Sequence, residues 1–526
     1  MCSIDQDVDM PVPKSKITTR RDLLQGRCHK CKEAPPVVDM KRVQYCRPCF
    51  IESVLYRFKL AVMRGSKEPD GAKVCIAVSG GPSSSLLLEG MKRFHAIDPT
   101  NPRKRRKFSE MIVCYIDTAA VLGHSEKAVE IDQAAKEAGF EFFRVPLESV
   151  FLNPDGSDPG VLVPQGINAQ EIIQLQMIQQ STSVTPAERL QQCVHALGKA
   201  TAKEEMLELL TWKVIIRLAK REGCAVVARG DNSTRMAVNV IAQTSRGRGF
   251  GMPVEMSEHA GWYKGITIVR PLRDILAKEV AVFNRFEQIH AVLTPEFTTG
   301  MPAKASIDRL TEAFVVGLQN EFPMTVNTVV RTAAKVVTGY TDEDTTPCPL
   351  CDGPIQKSSS DWRARHTVSN LAAVKNPAST TGGVKQKEDG KSSPCSNDCA
   401  CSENVTSVTV PPPSISTSCC SSTRASAKPM DISPHICYAC QNLCRDVVDT
   451  AAAAAVTRRK TAAPLPTSQN PASATSIAAS IAAPPPEQQQ PAFVLPAYVA
   501  EAVVSRKGRD WMKKEIGEFL IEDGED

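Results

Sequence analysis

Cys28, Cys31, Cys46 and Cys49 stand as two C-x-x-C pairs separated by fourteen residues. Four thiolates at that spacing can converge on one tetrahedral ion, and zinc is the ion that such a sulfur set selects in a reducing compartment. Because all four positions are cysteine, no coordination position stays open, so the site is expected to be structural rather than catalytic. Cys348, Cys351, Cys437 and Cys440 form a second pair of C-x-x-C units, with Cys444 close behind. They can share a zinc if the low-complexity stretch between them loops out, which costs only a few kcal/mol in closure entropy. Cys395, Cys399, Cys401, Cys419 and Cys420 fall inside that stretch and read as exposed thiols. Cys114 and Cys224 lie in apolar, strand-like runs and read as core residues.

A different chemistry is written after Val74-Cys75-Ile76-Ala77-Val78, which runs straight into Ser79-Gly80-Gly81-Pro82-Ser83-Ser84. The apolar run predicts a strand, and Ser83 to Ile97 predicts a helix, so a glycine turn falls at a helix N-terminus. First-turn amides and the helix dipole can cradle a phosphate there without a charged side chain, and glycine allows the close approach. Ser79, Gly80, Gly81, Ser83 and Ser84 are the candidate cradle residues. On its own, the same turn is also a plain tight connection.

Those features need elements to hold them. From Lys73 to about Tyr340 short apolar runs alternate with amphipathic stretches, the rhythm of a parallel sheet covered by helices. Five strands are predicted: Lys73 to Ser79, Met111 to Asp117, Phe140 to Leu147, Cys224 to Arg229 and Ile266 to Pro271. Ser125 to Gly139 and Glu204 to Arg221 carry helical apolar faces. The fold class is therefore α/β, a doubly wound, mostly parallel sheet over 70–340, with 153–203 as a Gln-rich insertion. A cysteine module over 25–52 precedes it, after a flexible N-terminus over 1–24. A cysteine-rich module over 345–450, interrupted by low complexity, follows it. Lys357 to Thr417 and an Ala/Pro-rich linker over 451–495 are too polar or too simple to bury a core and are expected to be disordered. A helix is predicted within 498–526.

Ligands of such sheets sit beyond the carboxyl ends of the strands, so the loops after Ser79, Asp117, Leu147 and Arg229 should face one crevice. Arg229 and Arg235 belong to it, and Arg246 and Arg248 offer two guanidinium forks on a glycine-rich backbone suited to RNA phosphates. A solvated loop is the plainer reading of that stretch. The basic run at 103–107 should lie at the opposite end of the sheet, as a solvated connector. Phe94, Phe140, Phe142 and Phe143 read as core. Lys and Arg number 63 against 58 Asp and Glu, a net charge of +5 that does not by itself announce a nucleic-acid partner. Met1 to Met10 lacks the apolar core of a secretory signal, and no run is long and apolar enough to span a membrane, so a cytoplasmic protein without membrane contact is expected.

Ser79-Gly80-Gly81-Pro82-Ser83-Ser84 resembles the pyrophosphate loop of the PP-loop ATP-pyrophosphatase superfamily, whose active members read Ser-Gly-Gly-x-Asp-Ser and adenylate a substrate. Ser83 stands where that family has Asp, and Pro82 where active tRNA thiolases often have Lys. The loop together with both cysteine sets is similar to the cytoplasmic tRNA 2-thiolation protein 2 family, as are Arg229 to Ala237, Gly247-Arg248-Gly249, Val269 to Asp274, Arg309 to Phe314 and Phe322 to Ala333. The resemblance covers most of 25–350 and, more thinly, 430–525. It implies an adenine nucleotide alpha hydrolase-like fold and structural zinc. It also implies a tRNA-binding subunit that pairs with a catalytic PP-loop homologue to 2-thiolate the wobble uridine of tRNA(Lys), tRNA(Glu) and tRNA(Gln). The sulfur would come from a thiocarboxylated ubiquitin-like carrier. The departures at positions 82 and 83 imply that no residue here is catalytic and leave ATP binding open. The alternative is a chain that is itself an ATP-dependent tRNA sulfurtransferase.

Overall fold

The computed structural model describes residues 26–40, 43–96, 106–123, 127–167, 173–178, 184–256, 260–263, 265–292, 297–322, 324–336, 345–356, 359, 430–445 and 493–517. These residues belong to one unit, drawn from 1–360 and 429–526. Its strands are β1 (Val38–Met40), β2 (Val43–Tyr45), β3 (Ala72–Ala77), β4 (Phe108–Asp117), β5 (Glu141–Pro146), β6 (Val161–Ile167), β7 (Ile173–Ile178), β8 (Val226–Arg229), β9 (Ala260–Tyr263), β10 (Ile266–Val269), β11 (Met430–Asp431) and β12 (Leu495–Pro496). The helices are α1 (Arg47–Gly65), α2 (Pro82–His95), α3 (Ala119–Leu122), α4 (Lys127–Ala138), α5 (Pro186–His195), α6 (Ala200–Arg221), α7 (Ser233–Ser245), α8 (Met252–Met256), α9 (Ala277–Glu287), α10 (Ile307–Glu321), α11 (Thr325–Ala333), α12 (438–445) and α13 (Tyr498–Gly517).

The central sheet runs β5-β4-β3-β8-β10-β9. Its first five members are parallel, and β9 closes one edge antiparallel to β10. Successive side chains of a strand face opposite ways, and the two cores divide accordingly. Val74, Ile76, Met111, Val113 and Tyr115 join Phe50, Phe58, Leu87, Met91, Ile131 and Phe283 on one face. Cys75, Ile112, Cys114 and Ile116 join Leu190, Met206, Leu210, Val214 and Leu218 on the other. Layers on both faces make this the doubly wound α/β fold expected, with each of the five expected strands present at slightly shifted ends. β9 was not expected: Ala260-Gly261-Trp262-Tyr263 is short and contains a glycine, so its composition does not mark it as a strand.

Strand order reverses at β3, where β4 lies on one side and β8 on the other. The loops after β3 and β8 therefore open side by side at the carboxyl end of the sheet, the place where such folds leave a crevice. Arg106 and Lys107 precede β4 at the opposite, amino end, as anticipated for the basic run; 97–105 lies outside the described residues.

Within 153–203, read from composition only as a Gln-rich insertion, the structure holds an antiparallel hairpin, β6 with β7, and then the helix α5. Ile173-Gln-Leu-Gln-Met-Ile alternates apolar and polar residues with period two, a strand pattern that the Gln content masks. β11 pairs with β7 and β12 with β6, so the C-terminal region completes a four-stranded sheet with the insertion. Phe493, Val494 and Leu495, placed by composition in the low-complexity linker, are buried. The stretches 1–24, 361–429 and 451–492 lie outside the described residues.

The N-terminal cysteine module continues into the body through α1, whose Phe50, Val54 and Phe58 are buried. Arg57 grips Glu279 with both terminal nitrogens, at 3.1 and 2.8 Å, and donates to the Asp274 carbonyl at 2.9 Å. α1 crosses α2 at Gly90, where an added Cβ would come within 2.6 Å of the Phe58 ring. Gly90→Ala gains up to ~1 kcal/mol in helix propensity but must displace that ring at ~1–3 kcal/mol. A net loss of stability is expected, read as a lower midpoint in denaturant unfolding. A midpoint at or above wild type would show that Phe58 moves aside freely.

Candidate functional site

Two helix N-termini meet at the reversal of strand order. Gly80, at φ +84, turns the chain out of β3, and Gly81 caps α2 in extended conformation with Pro82 at the first helical position. Proline suits that position because its missing N–H would have no intrahelical partner. Ser85 makes the first backbone bond into the helix, to Gly81 O at 3.0 Å, so the amides of Ser83 and Ser84 precede the ladder and remain as anion donors. The hydroxyls have other duties. Ser84 donates to Gly81 O at 2.9 Å, Ser79 to Ser84 at 3.4 Å, and Ser83 accepts from the Asn232 amide at 2.8 Å. Asn232 also caps α7, accepting from the Arg235 amide at 2.9 Å. Gly230 lies so close that its Cβ would meet Ser83 O and Ser84 N at 3.3 Å. The cradle residues Ser79, Gly80, Gly81, Ser83 and Ser84 are thus brought together, fit a phosphate by backbone alone, and carry neither cation nor carboxylate.

Beyond the loop opens a cleft of about 800 Å³, lined by Ser83, Trp212, Asp231, Arg235, Arg248 and Cys351 among others. Arg229 contacts Asp231 at 3.0 Å and lies over the Trp212 ring at 4.7 Å; Arg270 reaches the same carboxylate at 3.5 Å. Burial alone would raise the Asp231 carboxyl, but Arg229, Arg270 and Arg235 hold it below its ordinary value. Trp212 donates to the Tyr263 hydroxyl at 2.6 Å. Arg246 pairs with Asp308 at 3.2 Å and Arg248 with Glu205 at 2.5 Å. These last two guanidiniums are buried against carboxylates of α10 and α6, which corrects the expectation of open forks on a flexible backbone: low dielectric favours paired charges. Of the four arginines read as RNA candidates, Arg235 is the exposed one.

Sequence reading missed Trp212, Tyr263, Glu205 and Asp308 as cleft residues, and Arg270 as a second partner of Asp231. Glu205 sits on the same helix as the apolar face that predicts α6, where a carboxylate reads as solvated until its partner from another element is known.

Each cysteine quartet is assembled the same way. Cys28 and Cys31, like Cys348 and Cys351, come from a tight turn whose next residue is left-handed, Lys32 at φ +62 and Asp352 at φ +55. That residue's N–H bonds back to the first cysteine's carbonyl, at 2.9 and 2.8 Å. The second pair comes from a helix start. Cys46 is the N-cap of α1 with Cys49 in its first turn, and Cys437 immediately precedes α12, which contains Cys440. Positive helix ends favour thiolates.

Within each quartet the four sulfurs lie within 4.8 Å of one another; Cys31 and Cys46 are 3.8 Å apart and Cys351 and Cys437 3.6 Å. A tetrahedral ion with ~2.3 Å metal–sulfur bonds sets its ligands about 3.8 Å apart, so both quartets fit one mononuclear ion. Burial would raise the Cys28 thiol, yet amides of Cys46, Cys31 and Lys30 bring it down to about 6, while burial and its three neighbours push Cys49 up to about 12. Packed sulfurs compete for protons in this way until a cation replaces them. Cys351 and Cys437 also line the cleft. Cys75, Cys114, Cys193 and Cys224 are buried apart from these sets, in the core.

The family model described as "Cytoplasmic tRNA 2-thiolation protein 2" matches residues 306–442. Curated relatives of that name include one from Homo sapiens, 30% identical over 432 residues, covering 72% of this chain and 82% of the relative. Another from Danio rerio is 27% identical over 567 residues and covers 100% of both. Among solved structures, the U34-tRNA thiolase NcsA from Methanococcus maripaludis with its [4Fe-4S] cluster matches with TM-score 0.41 and 15% identity, over 60% of this chain and 89% of that one.

Replacing Cys49 or Cys440 by Ser should each remove about one bound metal per chain, measured by elemental analysis of the purified protein, and should lower stability because a structural ion contributes directly to folding. Unchanged metal content in either variant would show that the quartet concerned holds no ion.

Proposed function

We propose that this chain, which belongs to the cytoplasmic tRNA 2-thiolation protein 2 family, is the tRNA-binding, non-catalytic subunit of a cytoplasmic complex that 2-thiolates the wobble uridine of tRNA(Lys), tRNA(Glu) and tRNA(Gln). A catalytic PP-loop homologue supplies the ATP chemistry and takes sulfur from a thiocarboxylated ubiquitin-like carrier. The observation that carries this reading is the state of the loop after β3. Its amides still form an anion cradle, but Pro82 and Ser83 stand where adenylation needs a cation and a carboxylate, and the Ser79, Ser83 and Ser84 hydroxyls are all bonded within the chain. A transition state that gathers charge on phosphate finds no charged side chain within the loop itself to neutralise it.

Zinc is the ion assigned to both quartets, since four thiolates at tetrahedral spacing with no open position make a structural site. The cleft supports RNA binding by its place beyond the strand ends, its amide cradle at one end and Arg235 exposed at its wall. Arg229 serves from behind, stacked on Trp212 and paired with Asp231.

The purified chain is expected not to consume ATP in the presence of tRNA, and to do so when its homologue is added. ATP turnover by the isolated chain would favour the reading in which it is itself the sulfurtransferase. Arg235→Ala should weaken tRNA binding several-fold and lower the salt dependence by about one released ion, as expected for one lost phosphate contact. Fluorescence anisotropy titrations at several salt concentrations test this, and an unchanged affinity and slope would remove Arg235 from the RNA surface.

A further inference from the structure

We infer that Arg248 is an outer-sphere donor to the second cysteine quartet, and that the segment 246–251 and a metal held by that quartet stabilise each other. Arg248 Nη2 stands 3.6 Å from Cys440 Sγ. The same guanidinium is aimed there by Glu205 of α6, which accepts from Nε at 2.6 Å and from Nη2 at 2.5 Å. Both members of the pair are largely buried, with side-chain exposures of 12% and 8%. Four thiolates around a divalent ion carry a net charge of −2, and a charge of that size in a buried setting needs donors around it. Backbone amides supply some: Cys437 N–H reaches Cys348 Sγ and Gly353 N–H reaches Cys351 Sγ, each at 3.4 Å. Arg248 adds a charged donor whose own charge is balanced by Glu205 on its far side.

The contact is not isolated. Gly247, at φ +83, lies so close to Tyr438 that a Cβ would fall 2.4 Å from its ring, and Tyr438 sits between Cys437 and Cys440. Gly251 packs on Pro354, next to the turn that carries Cys351. One short segment therefore touches both halves of the quartet, and its own anchor, Glu205, belongs to the wall of the cleft. Among the described residues, the ion pair beside the first quartet, Lys30 with Glu52, joins exposed side chains instead. Because coupling between two sites is reciprocal, a residue that strengthens metal retention is itself held more firmly when the metal is present.

The full-length chain loaded with cobalt(II) tests this by two readouts that need neither RNA nor ATP. In Arg248→Gln, one of the two metal equivalents should transfer to a chelator faster than in wild type, by about 10–100-fold if the usual affinity loss for a missing outer-sphere partner falls on the release rate. Its thiolate-to-cobalt absorption band should shift. The other equivalent should be unaffected and certifies that the variant is folded. Arg248→Lys, which keeps the charge but loses the fork to Glu205, should fall between. In the wild type, metal removal should raise hydrogen exchange over 246–251. Release of both equivalents at wild-type rates in Arg248→Gln, with an unshifted band, would overturn the inference. If Arg248→Gln does not fold, wild-type exchange over 246–251 decides alone, and exchange indifferent to metal would overturn it.

Discussion

Four sulfur atoms held in contact and away from water cannot all be thiolates unless a cation sits among them, and several of the described segments beyond residue 345 are arranged around meeting that condition. The second quartet draws one pair of cysteines from a turn at 348–351 and the other from the start of a helix at 437–440. Closing such a loop costs entropy that the ligand bonds must exceed. The neighbouring structure helps. Arg506 of α13 donates to the carbonyls of His435, at 3.1 Å, and Pro347, bridging the two halves from one guanidinium. Lys213 of α6 pairs with Asp352 at 2.6 Å, directly beside Cys351. The added strands β11 and β12 return this region to the hairpin of the insertion. Two segments that look like appendages in the sequence are parts of one face of the α/β body.

Around the cleft, the buried charges are likewise compensated within the chain. Arg229 and Arg270 share Asp231, Arg246 faces Asp308, and Arg248 faces Glu205, each pair joining side chains from different elements or loops. Buried pairs of this kind add little net stability over apolar packing, but leaving one member alone is costly. They act here as registration devices: the Arg246 and Arg248 pairs tie the end of α7 to α10 and α6, and Asp231 ties the loop after β8 to the one after β10. What faces the opening is consequently local, the α2 amides and Arg235, which is exposed even while it acts on Asp231.

The sequence made the layered sheet legible because buried parallel strands read as short apolar runs, and β3, β4, β5, β8 and β10 all do. Both quartets were legible because ligand spacing is local to each knuckle. The crevice was legible as a place, since it follows from strand order, but not as a set of contacts. Whether Arg248 meets an RNA phosphate or Glu205 depends on how α6 passes the end of α7, which no local pattern encodes. The hairpin β6–β7 was missed for a related reason. Its partners β11 and β12 lie roughly 255 and 333 residues further along the chain than the strands they pair with, and pairing at that range leaves only a period-two alternation as a trace.

Under the proposed function, the loop after β3 keeps the geometry of a phosphate cradle without side chains that act on phosphate. In a cradle of this type the amides belong to the helix start and survive almost any side chain, whereas the groups that act on phosphate are individual residues. Pro82 is compatible with the first helical position and so leaves the turn intact while removing a position for a cation. Ser83 replaces a charge with a hydroxyl that Asn232 can hold, and Asn232 caps α7 with its other side-chain atom. The two helix starts that would clasp a substrate are thereby tied to each other by a neutral bond. Such a bond keeps the crevice in register without requiring a ligand, which is what a subunit needs if its role is to hold RNA beside chemistry performed on another chain.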